Sequence, residues 1–257
     1  MKKYFIMSDI HSFYDEMIMA LDLKGFDEDN PDHILVVCGD LFDRGPDAVK
    51  VFNYATKMAA EERLIYVYGN HEELLFDCVD EILNGKRISS HHISNGTFDT
   101  VVQITGMGKY DLSWGSFDRK EFVRKIYPLL DFITEKTCDF AEIDDHVCVH
   151  GWIPCDPWTG KIPDNWDTEE ADWDAARWIN GMFAWHGGAR LPNRTIICGH
   201  FHTSWGHHYI HEDREEFPPK NYEDWQKSFE IFKDEGIVAI DACTAYSGFC
   251  NCYVIER

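Results

Sequence analysis

Five short apolar segments of this chain each end in polar side chains that could bind metal ions or transfer protons. The polar clusters combine carboxylate, imidazole and amide groups. Such a mixture suits borderline divalent ions such as Mn, Fe, Zn or Ni, whereas a calcium site would use oxygen ligands alone. In chain order the clusters are Ser8–His11, Gly39–Arg44, Gly69–Glu72, His150–Gly151 and Gly199–His202.

Short β-branched runs precede these clusters and predict the strands that position them. Most of the runs are followed by a helical pattern, and this alternation indicates an α/β fold. Intervals of 31 and 30 residues separate Asp9, Asp40 and Asn70, about the length of one βαβ unit. Because open α/β sheets place ligands at the carboxyl ends of their strands, we expect the clusters to converge. The predicted strands are Tyr4–Met7, Ile34–Cys38, Leu64–Tyr68, Val147–Val149, Thr195–Cys198, Ile237–Ile240 and Tyr253–Ile255.

Apolar residues at helical spacing predict helices between several of these strands. Two segments, Ile88–Ser116 and Pro154–Trp185, are less regular. The second contains DNWDTEEADWDAARW, which we interpret as a loop followed by a helix from about Thr168, with its tryptophans packed inward. A cap over the site is the alternative interpretation. The predicted helices are Phe13–Leu23, Ala48–Ala60 and one that includes Leu74–Ile82.

The strand-end clusters together predict a centre with two divalent metal ions. A carboxylate shared between two cations can hold them about 3.5–4 Å apart, as in binuclear hydrolases. We expect manganese first, with iron, zinc or nickel as alternatives. The nine cysteines are scattered and form no CxxC pair, so they do not indicate a structural zinc site.

The charge balance and the apolar pattern exclude several classes of partner. The chain has 24 Lys+Arg against 46 Asp+Glu, a formal charge of −22, which disfavours a nucleic acid polymer as ligand. Attraction for an anion must then come from bound cations or a placed arginine. No apolar run approaches the ~20 residues of a membrane span. Asp9 and His11 interrupt the apolar start before a signal peptide develops, which favours the cytoplasm.

The motifs SDIHS, GDLFDRG, GNHE, HG and GHFH, in this order, resemble the calcineurin-like metallophosphoesterases. DRG near GNHE is similar to the phosphoprotein phosphatase branch, which includes bacterial Ser/Thr phosphatases and symmetrical diadenosine tetraphosphatases. The resemblance implies a four-layer α/β/β/α sandwich with two central mixed sheets. It implies a single domain over residues 1–257, to which we add a cap-like insertion around residues 154–190.

By this resemblance, the strand-end residues divide between two metal ions. Asp9 and His11 would bind the first, and Asp40 would bridge both. The wider superfamily also uses the second histidine of GHxH on the first metal, whereas the phosphatase branch commonly lacks it. We therefore expect His202 to be either a ligand or a residue at the rim of the site. The remaining ligands, on the second metal, would be Asn70, His150 and His200.

The resemblance also implies the groups that act on the substrate. His71 would be the general acid, oriented by Asp43, since a carboxylate partner keeps an imidazole protonated near neutral pH. Arg44 would direct two donors onto a phosphoryl oxygen. The usual first motif, Gly-Asp-x-His-Gly, has Ser8 and Ser12 in place of both glycines here, from which we expect only small backbone adjustments. No clean motif marks a second substrate arginine, and we interpret Arg190 and Arg194 as surface residues.

The implied activity is hydrolysis of a phosphoester in one step by water that two metal ions activate. The first expectation is a Ser/Thr phosphoprotein phosphatase, because no basic tract to grip a polyphosphate is evident. The alternative is a hydrolase of diadenosine tetraphosphate, which shares the same motifs. A remote alternative is an inactive metal-binding scaffold, against which the intact His71, Asp43 and Arg44 argue. The sequence leaves the oligomeric state open.

Overall fold

The computed structural model describes residues 1–210 and 226–257, and within them two five-stranded mixed sheets form the centre of the molecule. In the first sheet the order is β10-β1-β2-β3-β4, and only β10 runs antiparallel to its neighbour. In the second the order is β5-β6-β7-β9-β8, with both edge strands antiparallel. The strands are β1 Lys3–Met7, β2 His33–Cys38, β3 Leu64–Val67, β4 Thr137–Cys138, β5 Ala141–Ile143, β6 His146–Cys148, β7 Thr195–Cys198, β8 Phe232–Asp234, β9 Ile237–Ala239 and β10 Tyr253–Glu256.

Helices cover the outer faces of both sheets. The first sheet packs against α1, α2, α3, α5 and α7, and the second against α8 and α9. The described helices are α1 Tyr14–Leu23, α2 Ala48–Ala60, α3 Asn70–Leu83, α4 Ser90–Ser94, α5 Thr97–Thr105, α6 Lys109–Trp114, α7 Arg119–Lys136, α8 Trp173–Ala176, α9 Gly181–His186, α10 Ser204–Tyr209 and α11 Thr244–Ser247.

The period-two pattern of the strands explains why the two sheets stack on each other. In β2 every residue is buried, and alternate side chains enter different cores. Leu35 and Val37 face the outer helices. Val36 and Cys38 face the second sheet and pack in one cluster with Cys148 of β6 and its neighbours. The four-layer sandwich predicted from the sequence is therefore confirmed.

The elements nearest the polar clusters agree with the sequence prediction to within a few residues at their ends. All seven predicted strands form, and α2 spans its predicted residues. The helix expected from about Thr168 begins instead at Trp173, because Asp172 is its N-cap and accepts a hydrogen bond from the Ala175 N–H at 3.1 Å. Trp173 is buried and Trp166 packs against the same core, as expected for tryptophans that pack inward. The expectation is wrong for Trp178, which is 45% exposed because it lies just beyond the end of α8 at the rim of the second sheet.

Several elements had no counterpart in the sequence prediction. The strands β4, β5 and β8 are only two or three residues long, too short for a periodic signal. The 18-residue α7 contains Pro128, a residue that normally argues against a helix interior. Residues 90–114, within a segment that we had interpreted as irregular, form α4, α5 and α6. None of the helices described here has the length and apolar character that crossing a membrane requires.

The side chain of Arg63 holds the connection between α1 and β2 through hydrogen bonds to its backbone. Its buried guanidinium donates to the backbone carbonyls of His33 at 2.9 Å, Asp27 at 3.1 Å and Glu28. We expect Arg63→Met to lower the free energy of unfolding by about 2–4 kcal/mol, because it leaves the buried carbonyl of His33 and the partly buried carbonyls of Asp27 and Glu28 without these donors. Urea denaturation measures this loss.

The matched control is Arg124→Met, which removes an exposed ion pair with Glu121 on α7. Exposed pairs contribute little, so the control should change the free energy of unfolding by less than about 1 kcal/mol. Equal effects of the two substitutions would contradict the structural role of Arg63.

Candidate metal centre and active site

All five polar clusters lie together, at the place where the carboxyl ends of strands from both sheets meet. Asp9 follows β1 and Asp40 follows β2, whereas Asn70 begins α3 after β3. His150 and His200 follow β6 and β7 of the second sheet. Two groups of three residues could each hold a metal ion, since the potential ligand atoms within each group lie within 4.8 Å of one another, and both groups contain Asp40. The convergence expected from the strand-end rule is therefore found among the described residues.

One group consists of Asp40, His150 and His200, with Asn70 at its centre. Asn70 Oδ1 lies 2.8 Å from His150 Nε2 and 2.9 Å from His200 Nδ1. Asp40 Oδ1 lies 3.3 Å from His150 Nε2. Burial is the main cause that lowers the pKa of His200 to about 3, so this ring is neutral at physiological pH. Two oxygens and two ring nitrogens thus point at a common centre.

The tautomer of His150 shows why this centre fits a cation. Its Nδ1 lies 2.8 Å from the carbonyl oxygen of Cys38, which can only accept, so Nδ1 carries the proton. In the neutral ring Nε2 is then a bare acceptor that faces the oxygens of Asn70 and Asp40. Acceptors that face acceptors in a buried site are satisfied by a shared cation, and a backbone carbonyl behind the ring is the usual support of a metal-bound histidine.

The other group contains His11, Asp40 and His71, and Asp9 lies at its edge. His11 Nδ1 lies 2.9 Å from the Phe42 carbonyl oxygen, so its Nε2 is free to accept. This Nε2 is 3.9 Å from Asp9 Oδ1 and 3.7 Å from Asp40 Oδ2. Burial lowers the pKa of His11, and burial together with Asp40 raises the pKa of Asp9 to about 6. Buried carboxylates that oppose each other's ionisation also fit a divalent ion.

Ser8, which replaces the usual glycine of the first motif, fixes the orientation of Asp9. The Ser8 hydroxyl lies 2.5 Å from Asp9 Oδ2 and 2.7 Å from the carbonyl oxygen of Cys38. The N–H of His200 donates to the same Asp9 Oδ2 at 2.8 Å. Asp9 Oδ1 is thereby left facing His11. The serine side chain is a contact of the carboxylate, a feature that the sequence analysis did not foresee.

The backbone is strained where the site residues leave their strands. Left-handed φ angles, which cost non-glycine residues free energy, occur at Asp9 (52°), Asp40 (54°) and His200 (62°). Asp43 and Arg44 adopt the same conformation, with φ of 76° and 60°. Contacts with the surrounding structure must therefore stabilise these turns, since the residues by themselves disfavour the left-handed backbone conformation.

Glu72 provides several of the contacts that stabilise these turns, although the sequence analysis assigned it no role. Its fully buried carboxylate accepts from the N–H groups of Asp40 at 2.9 Å, Leu41 at 3.0 Å and Gly69 at 2.8 Å. The Tyr66 hydroxyl adds a fourth hydrogen bond at 2.6 Å. Glu72 therefore ties the loop after β2 to the start of α3. The capping-box position of this glutamate, three residues after Gly69, is the signal that could have found it.

His71 and Asp43 form the pair expected from the resemblance. His71 Nδ1 lies 2.7 Å from Asp43 Oδ2. Thr97 and Thr100 of α5 hold the carboxylate from behind, their hydroxyls donating at 2.6 Å and 2.8 Å. Burial disfavours the charged ring, but Asp40 and Asp43 outweigh it and raise the pKa of His71 to about 9. The two threonines lie more than 50 residues from Asp43, so no local pattern could have identified them.

His71 and Arg44 together present donors to a single point. Arg44 Nη2 lies 3.3 Å from His71 Nε2. Because the raised pKa of His71 keeps both ring nitrogens protonated at neutral pH, two cationic donors face each other here. An anionic oxygen that accepts from both would relieve this repulsion. The acceptor-rich cation site therefore lies beside a donor-rich anion site, with Asp40 Oδ2 3.8 Å from His71 Nε2.

The remaining predicted residues lie outside the two ligand groups. His202 belongs to neither group, and its Nδ1 is 2.6 Å from the Ser204 hydroxyl, so its role as a ligand stays a prediction. Arg190 stacks on Trp185 at 4.3 Å, and Arg194 pairs with Glu142 at 2.7 Å, both away from the substrate groups.

A further buried acid near the site was missed by the sequence analysis. Asp241 follows β9, and its Oδ1 accepts from the Cys243 N–H at 2.6 Å. Burial, then the charge of Asp9, raises the pKa of Asp241 to about 8. The strand-end rule that located the other carboxylates would have found Asp241 too, because it follows a predicted strand.

The fold and this site are those of a metal-dependent phosphoester hydrolase, and comparison with known proteins agrees. The family model for calcineurin-like phosphoesterases matches residues 2–232. The chain belongs to this family, whose members are metal-dependent phosphoester hydrolases.

Curated relatives cover only part of the chain. The asymmetrical bis(5'-nucleosyl)-tetraphosphatase PrpE of Bacillus subtilis (strain 168) is 38% identical over 159 residues, which cover 60% of this chain and 59% of that protein. PrpE of Bacillus velezensis is 30% identical over 138 residues, 51% of each chain. The symmetrical bis(5'-nucleosyl)-tetraphosphatase of Buchnera aphidicola (subsp. Baizongia pistaciae) is 27% identical over 154 residues, 59% of this chain and 53% of that protein. The chain thus spans about half the length of the curated relatives it matches.

A solved structure supports the fold. The cold-active protein-tyrosine phosphatase of a psychrophilic Shewanella species superposes with a TM-score of 0.51. The superposition covers 100% of this chain and 76% of that one at 14% identity, which shows the fold alone.

Glu72→Gln tests whether the buried carboxylate organises the metal loops. The amide nitrogen of glutamine cannot accept, so at least one of the buried N–H groups loses its partner. We expect a loss of about 2–4 kcal/mol in the free energy of unfolding and weaker Mn²⁺ binding by calorimetric titration. Asp77→Asn, on an exposed position of the same helix, is the control and should leave both unchanged. Unaltered Mn²⁺ affinity in Glu72→Gln would show that the loops organise without it.

Proposed function

We propose that this protein is a two-metal phosphohydrolase whose substrate is a dinucleoside tetraphosphate. The observation that carries the proposal is the adjacency of the buried acceptor cluster around Asp40 and the donor pair formed by His71 and Arg44. Cations fit the first and a phosphoryl oxygen fits the second, so a phosphorus centre between them would meet both. The membership of the chain in the calcineurin-like phosphoesterase family supports the same chemistry.

We propose that the strand-end residues hold the metal ions as the resemblance implies. Asp9 and His11 would serve the first, Asp40 would serve both, and His202 remains a proposed ligand of the first. Bound divalent cations would supply Lewis acidity, which polarises the phosphoryl group and lowers the pKa of the attacking water. The proposed ligands of the second metal are Asn70, His150 and His200.

The chain's own groups would handle the charge and the proton. Arg44 is suited to donate to an equatorial phosphoryl oxygen, because a guanidinium offers two parallel donors. His71 would give the proton on Nε2 to the departing oxygen, while Asp43 keeps Nδ1 protonated and the ring in place. The hydroxyls of Thr97 and Thr100 restrain Asp43, so the acid is preorganised.

The relatives support the nucleotide substrate. Both asymmetrical and symmetrical bis(5'-nucleosyl)-tetraphosphatases occur among them. The two names differ in which anhydride bond is cleaved, since unequal cleavage of a diadenosine tetraphosphate gives ATP and AMP and equal cleavage gives two ADP. The products therefore decide between them.

A Ser/Thr phosphoprotein phosphatase is the second candidate, and the distribution of cations favours it. Within the described residues, Arg177 is engaged by Asp139 and Asp174, and neither Arg190 nor Arg194 points at the substrate groups. Of these four arginines, Arg44 is the one that faces His71, and a single arginine suffices for a monoester more readily than for a tetraphosphate.

Location and other partners remain proposals on the sequence alone. A cytoplasmic location is proposed, and the net charge of −22 argues against a nucleic acid polymer as ligand.

A side-by-side assay separates the candidates. Manganese-loaded protein is given diadenosine tetraphosphate, a phosphothreonine peptide and p-nitrophenyl phosphate, and products are resolved by chromatography. We expect kcat/KM for the tetraphosphate to exceed that for the peptide by at least about tenfold. Preference for the peptide would support the second candidate instead. Asp40→Asn, which should lose metal and turnover together, is the control, and no turnover by either protein would revive the inactive scaffold.

His71→Asn tests the assignment of the general acid. Protonation of the leaving oxygen matters most when that oxygen would depart as a basic alkoxide, so kcat on β-glycerophosphate should fall at least about 100-fold. The loss on p-nitrophenyl phosphate should be much smaller, because p-nitrophenolate leaves without a proton. Equal losses on both substrates would assign His71 to binding rather than to proton transfer.

A further inference from the structure

Trp178 is a large aromatic side chain at the rim of the candidate site that the proposed chemistry does not use. Its indole is 45% exposed. The ring lies 5.9 Å from that of His200, at 82° to it. His200 is in turn one of the residues that converge on Asn70, so Trp178 is adjacent to the proposed second metal. The exposed part of the indole is therefore open to solvent beside the site.

The backbone that carries Trp178 is held firmly. Arg177, the preceding residue, pairs with Asp139 at 2.7 Å and with Asp174 at 2.5 Å, and its guanidinium lies 4.6 Å from the centre of the Tyr68 ring. The Trp178 N–H donates to the Ala175 carbonyl at 3.1 Å.

Close packing below the segment adds to this restraint. A Cβ at Gly151 would come within 2.6 Å of the Arg177 carbonyl oxygen, so the segment packs directly on the loop of His150. A rigid aromatic side chain loses little entropy when it binds a ligand.

Packing does not account for the exposure of this side chain. Trp173 and Trp185, in the same part of the chain, are buried in the core beneath the second sheet. Trp158 is more exposed, but its ring packs edge-on against Phe183 at 5.0 Å and it contacts none of the proposed ligands. Among the tryptophans that the structure describes, Trp178 alone combines an exposed face with a ring contact to a site histidine.

The charges around Trp178 define what could lie on it. Asp172, the N-cap of α8, and Asp174 within α8 are exposed, and the charge of Arg177 is balanced by its two acidic partners. A second phosphate would be repelled from this surface, whereas an uncharged planar ring would not be. The surface therefore suits a flat, neutral group that is joined to the phosphate bound at His71 and Arg44.

We propose that Trp178 is the stacking platform for a nucleobase of the substrate. This inference rests on the proposed phosphohydrolase function and specifies its substrate class as a nucleotide. Stacking uses the π-face that every base has, so the platform would accept adenine and guanine alike. The residue lies within the insertion around residues 154–190, which would then act as a specificity element rather than as a closed cap.

Kinetics on two substrates test the platform. In Trp178→Ala we expect KM for diadenosine tetraphosphate to rise about tenfold with kcat nearly unchanged. Hydrolysis of β-glycerophosphate, which has no ring, should keep its wild-type constants. Trp178→Phe should recover most of the affinity. Trp158→Ala, an exposed tryptophan of the same segment, is the matched control and should behave as wild type.

Loss of activity on both substrates in Trp178→Ala would overturn the proposal, because it would show a structural role. A KM for the tetraphosphate equal to that of the Trp158→Ala control would overturn it as well.

A binding measurement separates failure of this inference from failure of the proposed function. The probes are phosphonate analogues of AMP and of ribose 5-phosphate, in which carbon replaces the ester oxygen and no ester bond can be hydrolysed. Calorimetry on the manganese-loaded protein should show the AMP analogue binding about tenfold tighter than the ribose analogue, and Trp178→Ala should abolish the difference.

Tighter binding of the AMP analogue that depends on Trp178 would support the stacking platform even if no dinucleotide is cleaved. Turnover of the dinucleotide with equal affinity for both analogues would leave the enzyme function intact and overturn the platform. Tighter binding of a phosphothreonine peptide than of the AMP analogue, dependent on Trp178, would overturn it in favour of a protein substrate.

Discussion

The buried carboxylate of Glu72 is the constraint on which the arrangement of the site depends. It accepts from backbone N–H groups on the loop after β2 and from the N–H before α3, and thereby fixes two loops that come from neighbouring strands. Asp40 begins the first of these loops and Asn70 the second. With both loops fixed, the two oxygens of Asp40 face different ligand groups, Oδ1 toward His150 and Oδ2 toward His11. The proposed bridging role of Asp40 thus depends on backbone hydrogen bonds to Glu72, one of which comes from the N–H of Asp40 itself.

Next to the loops that Glu72 fixes, a site suited to cations and a site suited to an anion lie within a few ångströms of each other. Unprotonated ring nitrogens and oxygens converge where cations fit, and the donors of His71 and Arg44 converge where an anion fits. The molecule carries a net charge of −22, so attraction for a phosphate cannot come from its overall field. Any such attraction must arise locally, from Arg44, the protonated His71 and the metal ions that we propose are bound beside them. Local preorganisation of this kind acts at short range and is compatible with an acidic surface.

Two parts of the chain with little sequence regularity shape the chemistry at the rim of the sheets. The helix α5 supplies Thr97 and Thr100, whose hydroxyls hold the carboxylate that orients His71. The stretch that includes α8 presents Trp178 beside His200. The sandwich of two sheets thus carries the proposed metal ligands. The helix α5 restrains Asp43 behind the proposed acid His71, and the stretch that includes α8 forms the surface that we propose contacts the substrate. This division matches the general observation that one scaffold serves many activities through its loops.

The sequence by itself indicated seven of the ten described strands and the polar clusters at their ends, because β-branched runs and strand-end polar residues are local signals. The four-layer class came from the resemblance of its motifs to a known family. The sequence could not show α7, where Pro128 contradicts the helix, or the left-handed turns at Asp9 and Asp40, which only surrounding contacts stabilise. The tertiary structure alone decided which distant groups meet. The bond from Thr100 to Asp43 joins residues 57 positions apart, and the contact of Trp178 with His200 exists only because both sheets end at one edge. Such pairings depend on long-range packing, which leaves no periodic trace in the chain.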